Sequence, residues 1–123
     1  MNFEEANNIP GMIELVEREM LFNQAREISL IETDCVVEFG SFFGRSTNCI
    51  AQGLVANDNY FDNCKIYTYD SFQCDEQGWF APHVLGFAKA GNVEKLIKHE
   101  DKKIDFEKVF VHYLRPYIDS KTI

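Results

Sequence analysis

Glu38, Ser41, Ser46 and Thr47 surround two glycines in the run Glu38-Phe39-Gly40-Ser41-Phe42-Phe43-Gly44-Arg45-Ser46-Thr47, and Asp70 closes a second apolar run, Ile66-Tyr67-Thr68-Tyr69-Asp70-Ser71-Phe72. The first run combines a carboxylate and hydroxyls with backbone that Gly40 leaves open to close approach by a ligand. Where such a loop opens a helix, unpaired N–H groups face whatever lies above the strand end and favour an anion there. A phosphate-binding loop would end in Lys followed by Ser or Thr and would avoid a charge like that of Glu38. The dinucleotide pattern Gly-x-Gly-x-x-Gly also fails, because Phe42 holds the place of its second glycine. A ligand group carrying both a carboxylate and an ammonium suits helix N–H groups beside Glu38.

The elements that must position these residues follow from pattern. Val36, Val37 and Phe39 predict a buried strand over 35–39, and Ile50, Leu54 and Val55 recur at helical spacing over 45–56. Gly44 permits tight packing where the loop enters that helix. A second strand over 65–69 leaves Asp70 at its carboxyl end, where ligands lie in doubly wound sheets. The polar stretch 57–63 is expected to be a surface loop that lengthens the spacing beyond the roughly 20 residues of the dinucleotide version. Met12, Val16, Met20, Leu21, Ala25 and Ile28 predict a leading helix over 11–28, with Pro10 at its start, covering the sheet. Val93, Leu96 and Ile97 suggest a helix over 88–99, and the charges over 98–103 suggest a solvated turn. Phe106, Val109, Phe110 and Leu114 suggest a last helix over 105–114, ended by Pro116. A third strand is expected to begin at 118–123.

The two motifs together resemble the class I S-adenosylmethionine-dependent methyltransferases. Glu38 to Thr47 looks like the first cofactor motif of the small bacterial branch that includes macrocin-type O-methyltransferases, and Ile66 to Phe72 is similar to its second motif. Residues 11–28 are similar to the leading helix of that branch. The resemblance runs from about Pro10 to about Asp119. It implies an α/β fold, a Rossmann-like parallel sheet with flanking helices, of which this chain would be the N-terminal part of a seven-stranded whole. It implies S-adenosylmethionine as cofactor and Glu38, Gly40, Ser41, Phe42, Gly44, Ser46, Thr47, Asp70, Ser71 and Phe72 as cofactor-binding residues. Glu38 would orient the methionine ammonium, Ser46 and Thr47 would help hold its carboxylate, and Asp70 would accept hydrogen bonds from the ribose hydroxyls. The reaction would be methyl transfer to an oxygen of a small-molecule acceptor. The later strands, which in this family supply the acceptor pocket and, in the macrocin-type branch, metal-binding carboxylates, have no counterpart here. The chain is therefore read as a truncated or split methyltransferase, a single domain over 1–123 with its leading helix at 10–30 and its cofactor segment at 35–75. Its exposed strand edge would pair with another copy or a partner chain. The alternative is a non-catalytic nucleoside-binding interaction or regulatory protein derived from the same fold.

Composition narrows the classes further. The chain has 123 residues, 46% of them hydrophobic, with net charge −8, which suits one globular core and disfavours nucleic acid as a partner. Cys35, Cys49, Cys64 and Cys74 form no C-x-x-C pair and no zinc-like spacing, so no metal site is expected. Cys35 and Cys49 read as small core residues. The amino-terminal residues lack signal-peptide regions, and no apolar run approaches the ~20 residues of a membrane span. A cytoplasmic location, away from membranes, is expected. Phe42, Phe72, Trp79 and Phe80 are candidates to wall an adenine pocket, with core packing as the plainer role. Among the three histidines, His83 is the best placed to act as a base. No Gly-x-Ser-x-Gly elbow occurs, which disfavours an α/β hydrolase.

Overall fold

A computed structural model describes residues 1–60 and 64–123. The two β-branched and aromatic runs form the strands β1 (Val36–Phe39) and β2 (Ile66–Tyr69). They pair in parallel, with Val36 opposite Ile66 and Phe39 opposite Tyr69. Side chains alternate across a strand. Val36, Glu38, Ile66 and Thr68 therefore share one face, buried or half-buried, while Val37, Phe39, Tyr67 and Tyr69 share the other and are each at least half exposed. The helix α3 (Arg45–Val55) connects the strands, and Ala51 and Leu54 bury against Cys64, Ile66, Ala25 and Leu30.

The leading helix is shorter than its apolar spacing suggests. It is α2 (Leu15–Glu27), entered from an extended Glu14 that forms a capping box with Glu17. Residues 11–14 stay outside it because Arg45 reaches back to the carbonyls of Ile9, Gly11 and Ile13 and holds that segment in a non-helical path. Phe22 and Ala25 are its buried residues, whereas Met12, Val16 and Met20 are exposed. A short helix, α1 (Phe3–Asn7), precedes it and is capped by Asn2. In the stretch 57–63, the last three residues lie outside those described. Asn57, expected on a surface loop, is buried and donates to the carbonyls of Ala25 and Ile28.

The second half departs further from expectation. A helix over 88–99 is replaced by α4 (Ala81–Ala90), with Pro82 in its first turn, followed by a short 3-10 turn at Glu94–Leu96. Gly91 and the left-handed Asn92 stop α4, and the spacing of Val93, Leu96 and Ile97 is met by that single tight turn. The expected solvated turn at 98–103 is a hairpin of β4 (Lys98–Glu100) and β5 (Lys103–Asp105). Asp101 and Lys102 both take positive φ, the backbone a two-residue hairpin loop requires. With β3 (Gln73–Asp75) they make an antiparallel sheet in the order β3-β5-β4. The last helix, α5 (Glu107–Asp119), runs through Pro116 instead of ending before it. Pro116 and His112, whose carbonyl loses its helical donor, both lie on the exposed side, where water can replace the missing bond. No strand forms at 118–123. Lys121 turns the chain back with φ 63°, and Ile66 N donates to the Thr122 carbonyl at 2.8 Å along the free edge of β2.

A second core, built on Phe43, Val84, Ile104, Phe106, Val109 and Leu114, joins the glycine loop to α4, α5 and the antiparallel sheet. Tyr117 and Ile123 pack against both cores. The architecture is thus mixed α/β, a parallel strand pair with helices beside a small antiparallel sheet.

Candidate functional site

The ladder of the parallel pair runs one residue past β1, where Gly40 N donates to the Tyr69 carbonyl at 2.8 Å. Gly40 has φ 85°, and a Cβ built on it would meet nothing within 4 Å, so the backbone angle and not crowding calls for glycine here. The chain then turns through Ser41-Phe42-Phe43, closed by Gly44 N donating to Ser41 O at 2.8 Å. Gly44, the N-cap of α3, has φ 98°, and a Cβ there would lie 1.9 Å from Leu114 Cδ2. Glycine is therefore demanded twice over, by backbone angle and by the packing of α5. Having no side chain, Gly44 caps none of the first-turn amides of α3. Ser41 is buried beside this turn, and its hydroxyl has no hydrogen-bond partner.

Asp70 ties the two strand ends together. Its Oδ2 accepts from Phe42 N at 2.9 Å and its Oδ1 from Phe72 N at 2.8 Å. Both phenylalanines hold positive φ, 50° and 55°, which is costly for an aromatic residue and is held here by the same carboxylate. A carboxylate offers about four acceptor positions. Two of those on Asp70 are filled by amides, and two remain.

Glu38 lies on the face toward α3. Its Oε2 accepts from Ser46 Oγ at 2.7 Å, and its Oε1 accepts from Thr68 Oγ1 at 3.0 Å and from Thr47 Oγ1. Each hydroxyl donates one proton only. Ser46 and Thr47 thus direct theirs to Glu38, and they contribute to any anion above the loop through their backbone N–H groups. Thr68 was not singled out by sequence. It stands opposite Glu38 in the parallel register, so the strand pairing is the signal that finds it.

Ser71 is exposed and closes a local turn with Gln73. Phe42 stacks on Phe43 with ring centres 4.1 Å apart and also meets Phe80, Phe87 and Phe106, while Phe72 packs on Phe106 and Phe110. Phe42 and Phe72 are half-buried and lean on the second core. Trp79 is 80% exposed and touches Phe80 and His83, and His83 is exposed as well. Cys49 is buried as expected, but Cys35 is exposed at the outer end of β1 and is no core residue. Burial pushes the Cys49 thiol up to about 11, with the nearby Arg18 and Arg45 opposing that rise. Among the described residues, no group of three or more His, Cys, Asp or Glu side chains is placed to hold a metal ion, and no helix is long and apolar enough to cross a membrane. Comparison with protein-family models, curated proteins and solved structures finds no match to this chain.

Proposed function

We propose that this chain binds S-adenosylmethionine and forms the cofactor-binding portion of a methyltransferase acting on an oxygen of a small molecule. The observation that carries the reading is the Asp70 carboxylate joining the Phe42 amide to the end of β2, because it puts both motifs at one edge of the parallel pair. When bound, the cofactor supplies an electrophilic sulfonium methyl group. The protein holds the two reactants in line. The uncapped amides of α3 and the unpartnered Ser41 hydroxyl suit a carboxylate, and the two free acceptor positions of Asp70 suit ribose hydroxyls. Glu38 keeps one acceptor position, on Oε2, for an ammonium group. The position a Cβ at Gly40 would take is open, which suits close approach of a ligand to this backbone.

A non-catalytic nucleoside-binding protein is the second reading. It is favoured by the engagement of Glu38 and Asp70, every carboxylate oxygen of which already accepts a hydrogen bond that holds the loop and strand ends. Calorimetry with S-adenosylmethionine and S-adenosylhomocysteine tests both readings. Saturable binding of either is the expected result, and its absence in a folded chain would remove both. Methyl transfer to a panel of small hydroxyl compounds would then favour the enzyme over the binding protein. The Asp70→Ala variant should bind at least about tenfold more weakly than wild type.

A further inference from the structure

A separate cavity of about 590 Å3 opens on the other side of the α3 N-terminus, and none of the residues Glu38 to Phe42 or Asp70 to Phe72 lines it. Its walls include Asn7, Asn8, Pro10, Arg45, Phe87 and Tyr113. Among the described residues, Arg45 is its sole charged wall residue and no acid lines it, although the chain has 20 acidic residues and net charge −8. A second guanidinium stands behind the wall residue Asn7, for Arg18 Nη1 donates to the Asn7 side chain, although Arg18 itself does not line the cavity. Both arginines are half-buried, and among the described residues neither lies within ion-pair distance of a carboxylate.

Donor capacity remains on both groups. Arg45 directs Nε to Ile9 O at 2.5 Å and Nη1 to Gly11 O and Ile13 O, and no hydrogen bond among the described residues takes Nη2. Arg18 Nε is buried with no partner. Burial first, and then the charge of Arg18, lower the Arg45 pKa, with Glu14 and Cys49 only partly offsetting them. Half-buried cations without a counter-ion are costly, and an oxyanion relieves that cost through charge-assisted hydrogen bonds. Phe87 and Pro10 give the cavity apolar lining, and it has room for more than a bare ion.

We infer that this cavity binds a small molecule with an apolar body and a terminal oxyanion, the oxyanion held by Arg45 and attracted by the charge of Arg18 behind the wall, and the body lying against Phe87 and Pro10. The site does not depend on cofactor binding at the strand ends. Titration of the 15N-labelled full chain with phenyl phosphate and, separately, inorganic phosphate tests it. Phenyl phosphate should saturate, shift the amides of Asn8, Gly11 and Gly91, leave those of Gly40 to Phe42 and Asp70 in place, and bind more tightly than inorganic phosphate. Arg18→Gln should weaken phenyl phosphate by about threefold or more, through loss of the nearby charge. No saturable binding, shifts at Gly40 to Phe42 instead, or undiminished binding by a folded Arg18→Gln chain would overturn the inference. Equal affinity for the two probes would overturn the apolar body. Should Arg18→Gln fail to fold, the wild-type shift map decides alone. A failure of S-adenosylhomocysteine to bind would leave this result untouched, so the two readings fail separately.

Discussion

Phe42 and Phe72 are held in left-handed backbone by the two oxygens of one aspartate, so Asp70 is a structural clasp as well as a candidate ribose ligand. Removing it deletes two charge-assisted bonds and leaves two strained residues unsupported. Asp70→Ala should therefore lower unfolding free energy by about 2–3 kcal/mol in urea titration. An unchanged midpoint would mean that the clasp contributes nothing. Cys49 offers a pH test. Its folded pKa is raised from an ordinary 9.0 to about 11, so the folded state favours the neutral thiol. That contribution is complete below pH 9 and is lost as pH rises toward 11, because the unfolded chain releases the proton first. Burial of Tyr117 and Tyr113 raises their hydroxyls too and acts in the same direction. Thermal midpoints should fall above pH 9 and fall less steeply in Cys49→Ala than in wild type. At this scale the two acidic residues stood out in sequence because Asp70 follows the second apolar run directly and Glu38 lies next to the end of the first. Their partners were not, since Ser46 and Thr47 reach Glu38 only once α3 folds back beside β1, and Thr68 only through the pairing of β2 with β1.

At the scale of elements, the junction of the glycine loop and α3 is the least tolerant point. Gly44→Ala must adopt a left-handed backbone and displace Leu114, which predicts a loss of about 3 kcal/mol or more in chemical denaturation. The same junction was the clearest element in sequence, because an apolar run, a glycine pair and a helical period succeed one another without overlap. The antiparallel sheet was hidden for a physical reason. Its strands have three residues each, too few for alternation to show, and Lys98, His99 and Glu100 are all exposed. Gly91-Asn92 carried a stop signal for α4 that the spacing of Val93, Leu96 and Ile97 overrode. Pro116 was read as a terminator, and only the exposure of that face makes it tolerable inside α5.

At the scale of the whole molecule, the parallel pair is covered on one face and bare on the other. Val37, Phe39, Tyr67 and Tyr69 form that bare face, with the rings of Phe39 and Tyr69 5.6 Å apart. Parallel sheets are ordinarily covered on both faces. Phe39 is 80% exposed, so Phe39→Ser should change unfolding free energy by no more than about 0.5 kcal/mol. The same substitution should reduce binding of a fluorescent apolar dye to the native chain. A large loss of stability would show that the face is packed in solution. The central claim is that the strand ends joined by Asp70 bind S-adenosylmethionine. The most direct measurement is a 15N–1H titration of the full chain with S-adenosylhomocysteine. Saturable shifts centred on Gly40, Ser41, Phe42, Ser46, Thr47 and Asp70 are the predicted result, and a folded chain whose amides at these positions do not move would contradict it.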